Sequence, residues 1–343
     1  MLTSDAIGVL LVQLGTPRSP ETGDVRSYLR EFLSDPRVLD MPAAARALLL
    51  YAIILPFRPR RSAHAYQQIW TDEGSPLTIH TQALADAVQD RLGDTYRVAI
   101  GMRYQEPSLA EGVSQLVDAG CRRFVVLPLF PQYSSAATGS ALEAALSEIG
   151  GRWNVPEVVT VSDFFDNEGF VDALVETSRP HLDDFQPDHV VFSYHGLPEK
   201  QIRKSDPSGE WCLASASCCD AVLNVNRFCY RAQSYATTRA TAARLGLAEG
   251  KYSTTFQSRL AGQKWIEPYT DKVLPEVYSS GVRRLAVMTP SFTADCLETL
   301  EEIGIRGRSQ WEQIGGEAFL LVPCLNSEPA WADAVAAIVR RAS

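Results

Sequence analysis

Gly120-Cys121-Arg122-Arg123-Phe124-Val125-Val126-Leu127 returns later in the chain as Gly281-Val282-Arg283-Arg284-Leu285-Ala286-Val287-Met288. A second pair of stretches matches in the same order: Val9-Leu10-Leu11-Val12-Gln13-Leu14-Gly15-Thr16-Pro17 is echoed by Val190-Val191-Phe192-Ser193-Tyr194-His195-Gly196-Leu197-Pro198. Two anchors in one order point to a duplicated unit. The first copy is about twenty residues longer between its anchors, and the surplus falls most naturally around residues 41–75.

Outward from these anchors, short apolar runs alternate with helical patterns. Strands are expected at 7–14, 97–102, 124–129, 158–161, 189–194, 252–256, 285–289 and 319–325, and helices at 23–33, 81–92, 109–119, 140–149 and 170–181. Most of the strand runs are continuously apolar rather than alternating, the pattern of parallel strands covered on both faces. Strand–helix alternation of this kind predicts α/β layers with right-handed crossovers. Ligands of open α/β sheets bind outside the carboxyl ends of the strands, so chemistry is to be sought there. Neither a G-x-G-x-x-G after the first strand nor a P-loop is present, which removes the main support for dinucleotide and nucleotide readings.

The 343 residues suggest two domains. A mean hydropathy of −0.09 and a longest near-apolar run of only residues 47–57 argue against a membrane span. The net charge of −9 argues against general nucleic-acid binding. Asp5 and the lack of a basic stretch before the first apolar run predict no signal peptide, hence a cytoplasmic protein with reduced thiols.

His195 follows a predicted strand directly, where an imidazole can take a proton near neutral pH. His64, His80, His181 and His189 read as surface residues. After the strand at 285–289, a helix beginning near Thr293 would carry Asp295 in its first turn, with Glu298 and Glu302 on the same face. Such a row is either a solvated acidic surface or a route for divalent cations and protons. Residues 48–55 and the following Pro56-Phe57-Arg58-Pro59-Arg60-Arg61 form a lip suited to cover a flat apolar ligand or to touch a membrane surface. A buried helix with a solvated basic end is the plainer reading.

At these residues the chain resembles the ferrochelatases, which insert ferrous iron into a porphyrin to make haem. The resemblance runs over essentially the whole chain. It rests on Leu14-Gly15-Thr16-Pro17, Tyr28-Leu29-Arg30-Glu31-Phe32-Leu33-Ser34-Asp35, Gly74-Ser75-Pro76-Leu77 and Gly101-Met102-Arg103-Tyr104. It continues through Leu127-Pro128-Leu129-Phe130-Pro131-Gln132-Tyr133-Ser134, Ser193-Tyr194-His195-Gly196-Leu197-Pro198, Phe256-Gln257-Ser258-Arg259 and Asp295-Cys296-Leu297-Glu298-Thr299-Leu300. It implies an α/β fold of two similar Rossmann-like, chelatase-type domains, each a four-stranded parallel sheet flanked by helices, facing across a porphyrin cleft. The expected domains are 1–165, carrying the lip at 41–75 and joined by a C-terminal helix at 326–343, and 166–325, with a cysteine-rich insertion at 209–231.

The resemblance further implies that His195 and Glu298 form the catalytic, Fe²⁺-binding pair, with Asp295 and Glu302 on an acidic metal path. Porphyrin contacts are implied at Leu14, Arg58, Arg61, Arg103, Tyr104, Ser134, Trp265 and Phe292. Coproporphyrin-using members tend to carry Tyr before the Gly-Thr-Pro turn; Leu14 here leans toward protoporphyrin IX. The partners are then protoporphyrin IX and Fe²⁺, with optional peripheral contact at the inner face of a membrane and no nucleic acid. A chelatase for another metal or tetrapyrrole, including cobalt or coproporphyrin, and a non-catalytic porphyrin or haem carrier stay open as alternatives.

Four of the seven cysteines, Cys212, Cys218, Cys219 and Cys229, fall in one segment with the spacing C-x5-C-C-x9-C. That is no ordinary zinc pattern, but four thiolates can hold a [2Fe–2S] cluster. Some ferrochelatases carry such a cluster on internal cysteines after the His-Gly-Leu-Pro motif, and this segment resembles theirs. Zinc or free thiols are the other readings. Cys121, Cys296 and Cys324 read as core residues.

Overall fold

Val9 to Val12 have no solvent exposure at all, because the strand they form is covered on both faces. The computed structural model describes residues 6–260 and 262–343; the expectation resting on Asp5 lies outside the described residues. Strand β1 (Ile7–Gln13) runs between β2 (Tyr96–Met102) and β3 (Arg123–Pro128), and β4 (Glu157–Thr160) adds to β3, all parallel, in the order β2-β1-β3-β4. In the second half β5 (His189–His195), β6 (Tyr252–Gln257), β7 (Arg284–Met288) and β8 (Ala318–Leu321) repeat the pattern as β6-β5-β7-β8.

The sequence repeat and the sheet register coincide. Val9 pairs with Val125 in the first sheet, and their counterparts Val190 and Ala286 pair in the second. The glycines that open the repeated stretch, Gly120 and Gly281, both take positive φ just after a helix (Leu109–Asp118 and Thr270–Ser279). Gly15 must be glycine: its φ is +103°, and an added Cβ would stand 1.9 Å from the Tyr104 carbonyl oxygen. The last strand is shorter than its apolar run. The Val322 N–H still bonds the Val287 carbonyl at 2.9 Å, but Pro323 has no N–H to continue the ladder.

The chain divides into two compact units. One comprises residues up to Phe130, Ser135–Asp163 and Ala332–Ser343; the other comprises Pro131–Ser134 and Phe164–Trp331. Pro131–Ser134 joins the second unit because Gln132 Nε2 donates to Thr237 Oγ1 at 3.0 Å and the Tyr133 N–H to Gln233 Oε1 at 2.6 Å, both on helix Tyr230–Leu245. The last helix, Pro329–Ala342, starts with buried Trp331 against Phe164 and Phe170. Its remainder belongs to the first unit, where Ser343 Oγ meets Tyr96 Oη at 2.9 Å.

The region expected to hold the surplus of the first half forms consecutive helical stretches, Ala43–Leu48, Leu49–Ile54 (a π-helix) and Leu55–Ile69. Leu48, Tyr51, Ile53 and Phe57 are exposed by 68%, 59%, 56% and 77%, so the helix is not the buried one of the plainer reading. Among the described residues, no helix is long and apolar enough to cross a membrane.

Candidate functional site

His195 is the last residue of β5. Its backbone N–H donates to Ser291 Oγ at 3.1 Å, and its Nδ1 lies 2.6 Å from the Gly196 carbonyl oxygen. A carbonyl only accepts, so Nδ1 carries the proton and Nε2 is left as the basic nitrogen. The ring sits 6.3 Å from that of Phe292, and both side chains are half-buried. Gly196 leaves room for this turn: a Cβ there would come within 2.7 Å of the Gln257 carbonyl oxygen.

His195 pairs across the sheet with Gln257 at the end of β6. The Gln257 side chain accepts from Ser193 Oγ at 2.8 Å and donates to the Glu298 carbonyl at 2.8 Å. The strand-end histidine and the acidic helix are therefore tied through one glutamine that sequence reasoning passed over.

The acidic helix itself differs from expectation. It begins at Leu297 rather than near Thr293, and Leu297–Gly307 is a π-helix, the i→i+5 form that recurs at functional sites. Asp295 therefore precedes the helix and is not in its first turn. Its Oδ1 accepts from Thr299 Oγ1 at 2.9 Å and its Oδ2 from Asn326 Nδ2 at 2.8 Å, leaving the carboxylate buried and enclosed. Glu302 is also held, by the backbone N–H of Ser258 at 3.0 Å and by the Ser258 hydroxyl.

Glu301, which an α-helical reading puts off the face of Glu298 and Glu302, is buried and accepts from Arg306 Nε at 2.8 and 3.0 Å. The π repeat explains the choice: Arg306 is five residues on from Glu301, and its contact with Glu302, four residues back, is the longer at 3.9 Å. Glu298 is half-buried beside the Cys296 thiol, and among the described residues no cation lies within ion-pair distance of it. Burial and the Glu298 carboxylate push that thiol well up.

Of the residues expected to touch a porphyrin, Arg58 and Arg61 are exposed, as is Arg60, and Leu14 is half-buried. Tyr104 is 1% exposed, and its hydroxyl donates to Asp35 at 2.8 Å. Arg103 Nη2 donates to the same carboxylate oxygen at 2.8 Å, and Arg103 stacks over the Tyr104 ring. The two are parts of a buried network around Asp35 rather than an open pair. Burial works to raise the Asp35 carboxyl, but Ser140, the Arg37 N–H, Tyr104 and Arg103 together hold it below the ordinary range. Ser134 is buried. Trp265 is buried beside Gly196 and pairs through a bridge with Pro198, its indole N–H without an acceptor among the described residues. A pocket of about 330 Å³ in the first unit is lined by Arg26, Ser27, Arg30, Tyr51, Leu55 and Pro56.

His189, read from sequence as a surface residue, is buried at the start of β5, its Nε2 3.1 Å from Ser253 Oγ on β6. Cys121, Cys296 and Cys324 are buried core residues.

All four clustered cysteines are buried in an irregular loop. Asp206 organises it, accepting from the N–H groups of Ser208, Trp211 and Cys212 at 2.9, 2.8 and 2.7 Å; these bonds, Cys212 foremost, hold its carboxyl far below the usual range. Cys218 Sγ and Cys219 Sγ are 3.7 Å apart, while Cys212 and Cys219 each contact Cys229. The Cys212 thiol beside it and burial push Cys229 up to about 12. Arg231 Nη1 reaches Cys219 Sγ at 3.1 Å. Among the described residues no group of three or more His, Cys, Asp or Glu side chains is arranged around a single metal ion. The thiols form one run of contacts, Cys218 to Cys219 to Cys229 to Cys212, so four sulfur donors lie together in one buried loop.

Two copies of a parallel sheet in one strand order, with a strand-end histidine tied to a carboxylate helix, define a protein of the chelatase fold. SirB from Bacillus subtilis with Fe³⁺ is similar at a TM-score of 0.56 and 12% identity, over 98% of this chain and 95% of that one. The sirohydrochlorin chelatase SirB in complex with cobalt is similar at 0.54 and 11%. The chain belongs to the ferrochelatase family, whose model matches residues 6–343. Ferrochelatases of Coxiella burnetii (strain CbuK_Q154) and Legionella pneumophila (strain Philadelphia 1) are each 46% identical to it, covering 98% and 97% of this chain and 94% and 98% of theirs. Its activity is that of a lyase inserting ferrous iron into a porphyrin.

Proposed function

We propose that this ferrochelatase acts on protoporphyrin IX, with His195 as the proton acceptor and Glu298 as the carboxylate that delivers Fe²⁺ or receives the second proton. The observation that carries the reading is the chain His195–Gln257–Glu298, which ties the histidine's strand end to the carboxylate helix within one unit. Metal insertion requires two pyrrole N–H protons to leave as iron sheds water. Nε2 of His195, basic because Nδ1–H is bound to Gly196, is suited to take one. Glu298, without an ion-pair partner among the described residues, keeps a hard oxygen for the substrate cation. Glu302, gripped by Ser258, fixes the helix beside it.

The exposed apolar residues Leu48, Tyr51, Ile53 and Phe57, with Arg58, Arg60 and Arg61 alongside, support a role for the lip in covering the porphyrin or touching an anionic membrane surface. Half-buried Leu14 suits the vinyl groups of protoporphyrin. The four buried, contiguous thiols of Cys212, Cys218, Cys219 and Cys229 support a [2Fe–2S] cluster held by this loop. Such a group, when bound, supplies a one-electron redox centre and a brace for a segment that lacks apolar periodicity.

The test is anaerobic addition of Fe²⁺ to protein with excess protoporphyrin, followed by absorbance. Catalysis gives many haems per chain. A carrier would bind porphyrin without consuming iron, and faster turnover of coproporphyrin or of cobalt would replace this reading with the corresponding chelatase.

A further inference from the structure

Asp295 and Asn326 bind each other reciprocally. The Asp295 N–H donates to Asn326 Oδ1 at 2.8 Å, Asn326 Nδ2 donates to Asp295 Oδ2 at 2.8 Å, and the Asn326 N–H donates to the Thr293 carbonyl at 2.8 Å. Asn326 adopts φ +49°, a left-handed conformation that asparagine and glycine tolerate best. On the other side, Thr299 Oγ1 donates to Asp295 Oδ1 at 2.9 Å and accepts the Cys296 N–H at 3.0 Å, closing the first turn of the π-helix. A third N–H, from Cys324, points at Asp295 Oδ2 from 3.4 Å.

Every strong donor on this carboxylate is neutral, and each belongs either to the helix start or to the loop after β8. A cation in transit would have to displace them, whereas a fixed anchor needs all of them. We propose that Asn326, acting through Asp295 and Thr299, is a positioning residue that fixes where the π-helix begins and so where Glu298 stands. Asp295 is then part of the clamp and not a station for metal. The inference rests on the reading of Glu298 as the working carboxylate.

A second anchor on the N-terminal half of the helix is Gln257 and Ser258 at the end of β6, which hold the Glu298 carbonyl and the Glu302 carboxylate. Gln257 and Ser258 grip this segment from the sheet side and Asn326, through Asp295, grips its first turn, so loss of the clamp leaves that turn free to rewind toward ordinary i→i+4 bonding. A displacement of that size is enough to cost catalysis heavily.

Three variants and two readouts test this. Asn326→Gly keeps the left-handed backbone and removes only the amide. It should lower kcat roughly tenfold with porphyrin KM nearly unchanged, and raise amide exchange at residues 297–303 about tenfold. Asp295→Asn keeps the shape: with its Nδ2 donating to Thr299 Oγ1, whose own proton then goes to the Cys296 carbonyl at 3.2 Å, its Oδ1 still accepts from Asn326, so it should hold kcat within about threefold with near-native exchange. Should Asn326→Gly not accumulate folded, Thr299→Val, which removes the donor to the other oxygen, reads the same exchange. Native exchange in the clamp variants would overturn the proposal, as would an Asp295→Asn loss equal to that of Glu298→Gln. Full activity of Glu298→Gln would instead overturn the reading of Glu298, while the exchange measurement still decides the clamp.

Discussion

The side-chain amide of Gln257 donates to the backbone carbonyl of Glu298 at 2.8 Å, and it is the main link between the strand carrying His195 and the helix carrying the carboxylates. A buried amide with both ends taken, by Ser193 and by Glu298, cannot turn without leaving a polar atom unpaired. That fixes the backbone of Glu298 while leaving its carboxylate to the chemistry.

His195→Ala should reduce insertion by about 10² or more, the usual size of a lost general base, with the circular dichroism spectrum unchanged. Near-normal turnover in the folded variant would remove His195 from the mechanism.

Glu298→Gln and Glu301→Gln should fail in different ways. The first should lower kcat by roughly 10²-fold at constant Tm. The second should lower Tm and affect kcat less, because Glu301 is buried against Arg306. Neutralising Glu301 leaves the Arg306 guanidinium only its longer 3.9 Å contact with Glu302. Equal effects on kcat would mean that the row is no more than an acidic surface.

Replacing Arg58, Arg60 and Arg61 by Ala should raise porphyrin KM or release the protein from anionic vesicles, with kcat unaffected. Each is exposed and next to exposed apolar side chains, where cationic groups meet propionates or headgroups. Unchanged KM and unchanged vesicle sedimentation would return them to the solvated surface.

Protein purified without oxygen should be reddish-brown, with about two irons and two acid-labile sulfides per chain. Ser at Cys212, Cys218, Cys219 or Cys229 should abolish the colour and lower Tm, and Ser at Cys121, Cys296 or Cys324 should leave the colour. Colourless protein with stoichiometric zinc would establish the zinc site instead, and metal-free active protein would exclude both.

Stability should fall in acid partly through Asp35. Its carboxyl is held below its unfolded value, so its contribution is present above about pH 4 and is lost as pH falls through the lower, folded value. Urea midpoints of wild type and Asp35→Asn, followed downward from about pH 6, should converge toward the acid end. A constant gap between the two curves would show that the network does not hold the ionised form.

Continuous apolar runs such as Val9 to Val12 and Val190 to Phe192 placed the inner strands of the two sheets, because a strand covered on both faces needs apolar side chains along its whole length. The repeated Gly-x-Arg-Arg stretch likewise carried the duplication, since equivalent strands need equivalent side chains in equivalent register. His195 was legible because it directly follows an apolar strand run, although of its neighbours only Gly196 is local and Gln257, Ser291 and Phe292 come from elsewhere in the chain. What the chain did not disclose depends on partners distant in sequence. Burial of Glu301 and of His189, the closed network of Asp35 with Tyr104, and the enclosure of Asp295 by Asn326 all follow from side chains meeting across 5 to 105 residues. The π-helix belongs to the same class. The i→i+5 form is rare, and two anchors on its N-terminal half, Asn326 after β8 and Ser258 after β6, hold Glu298 where an α-helical reading of the same residues would not.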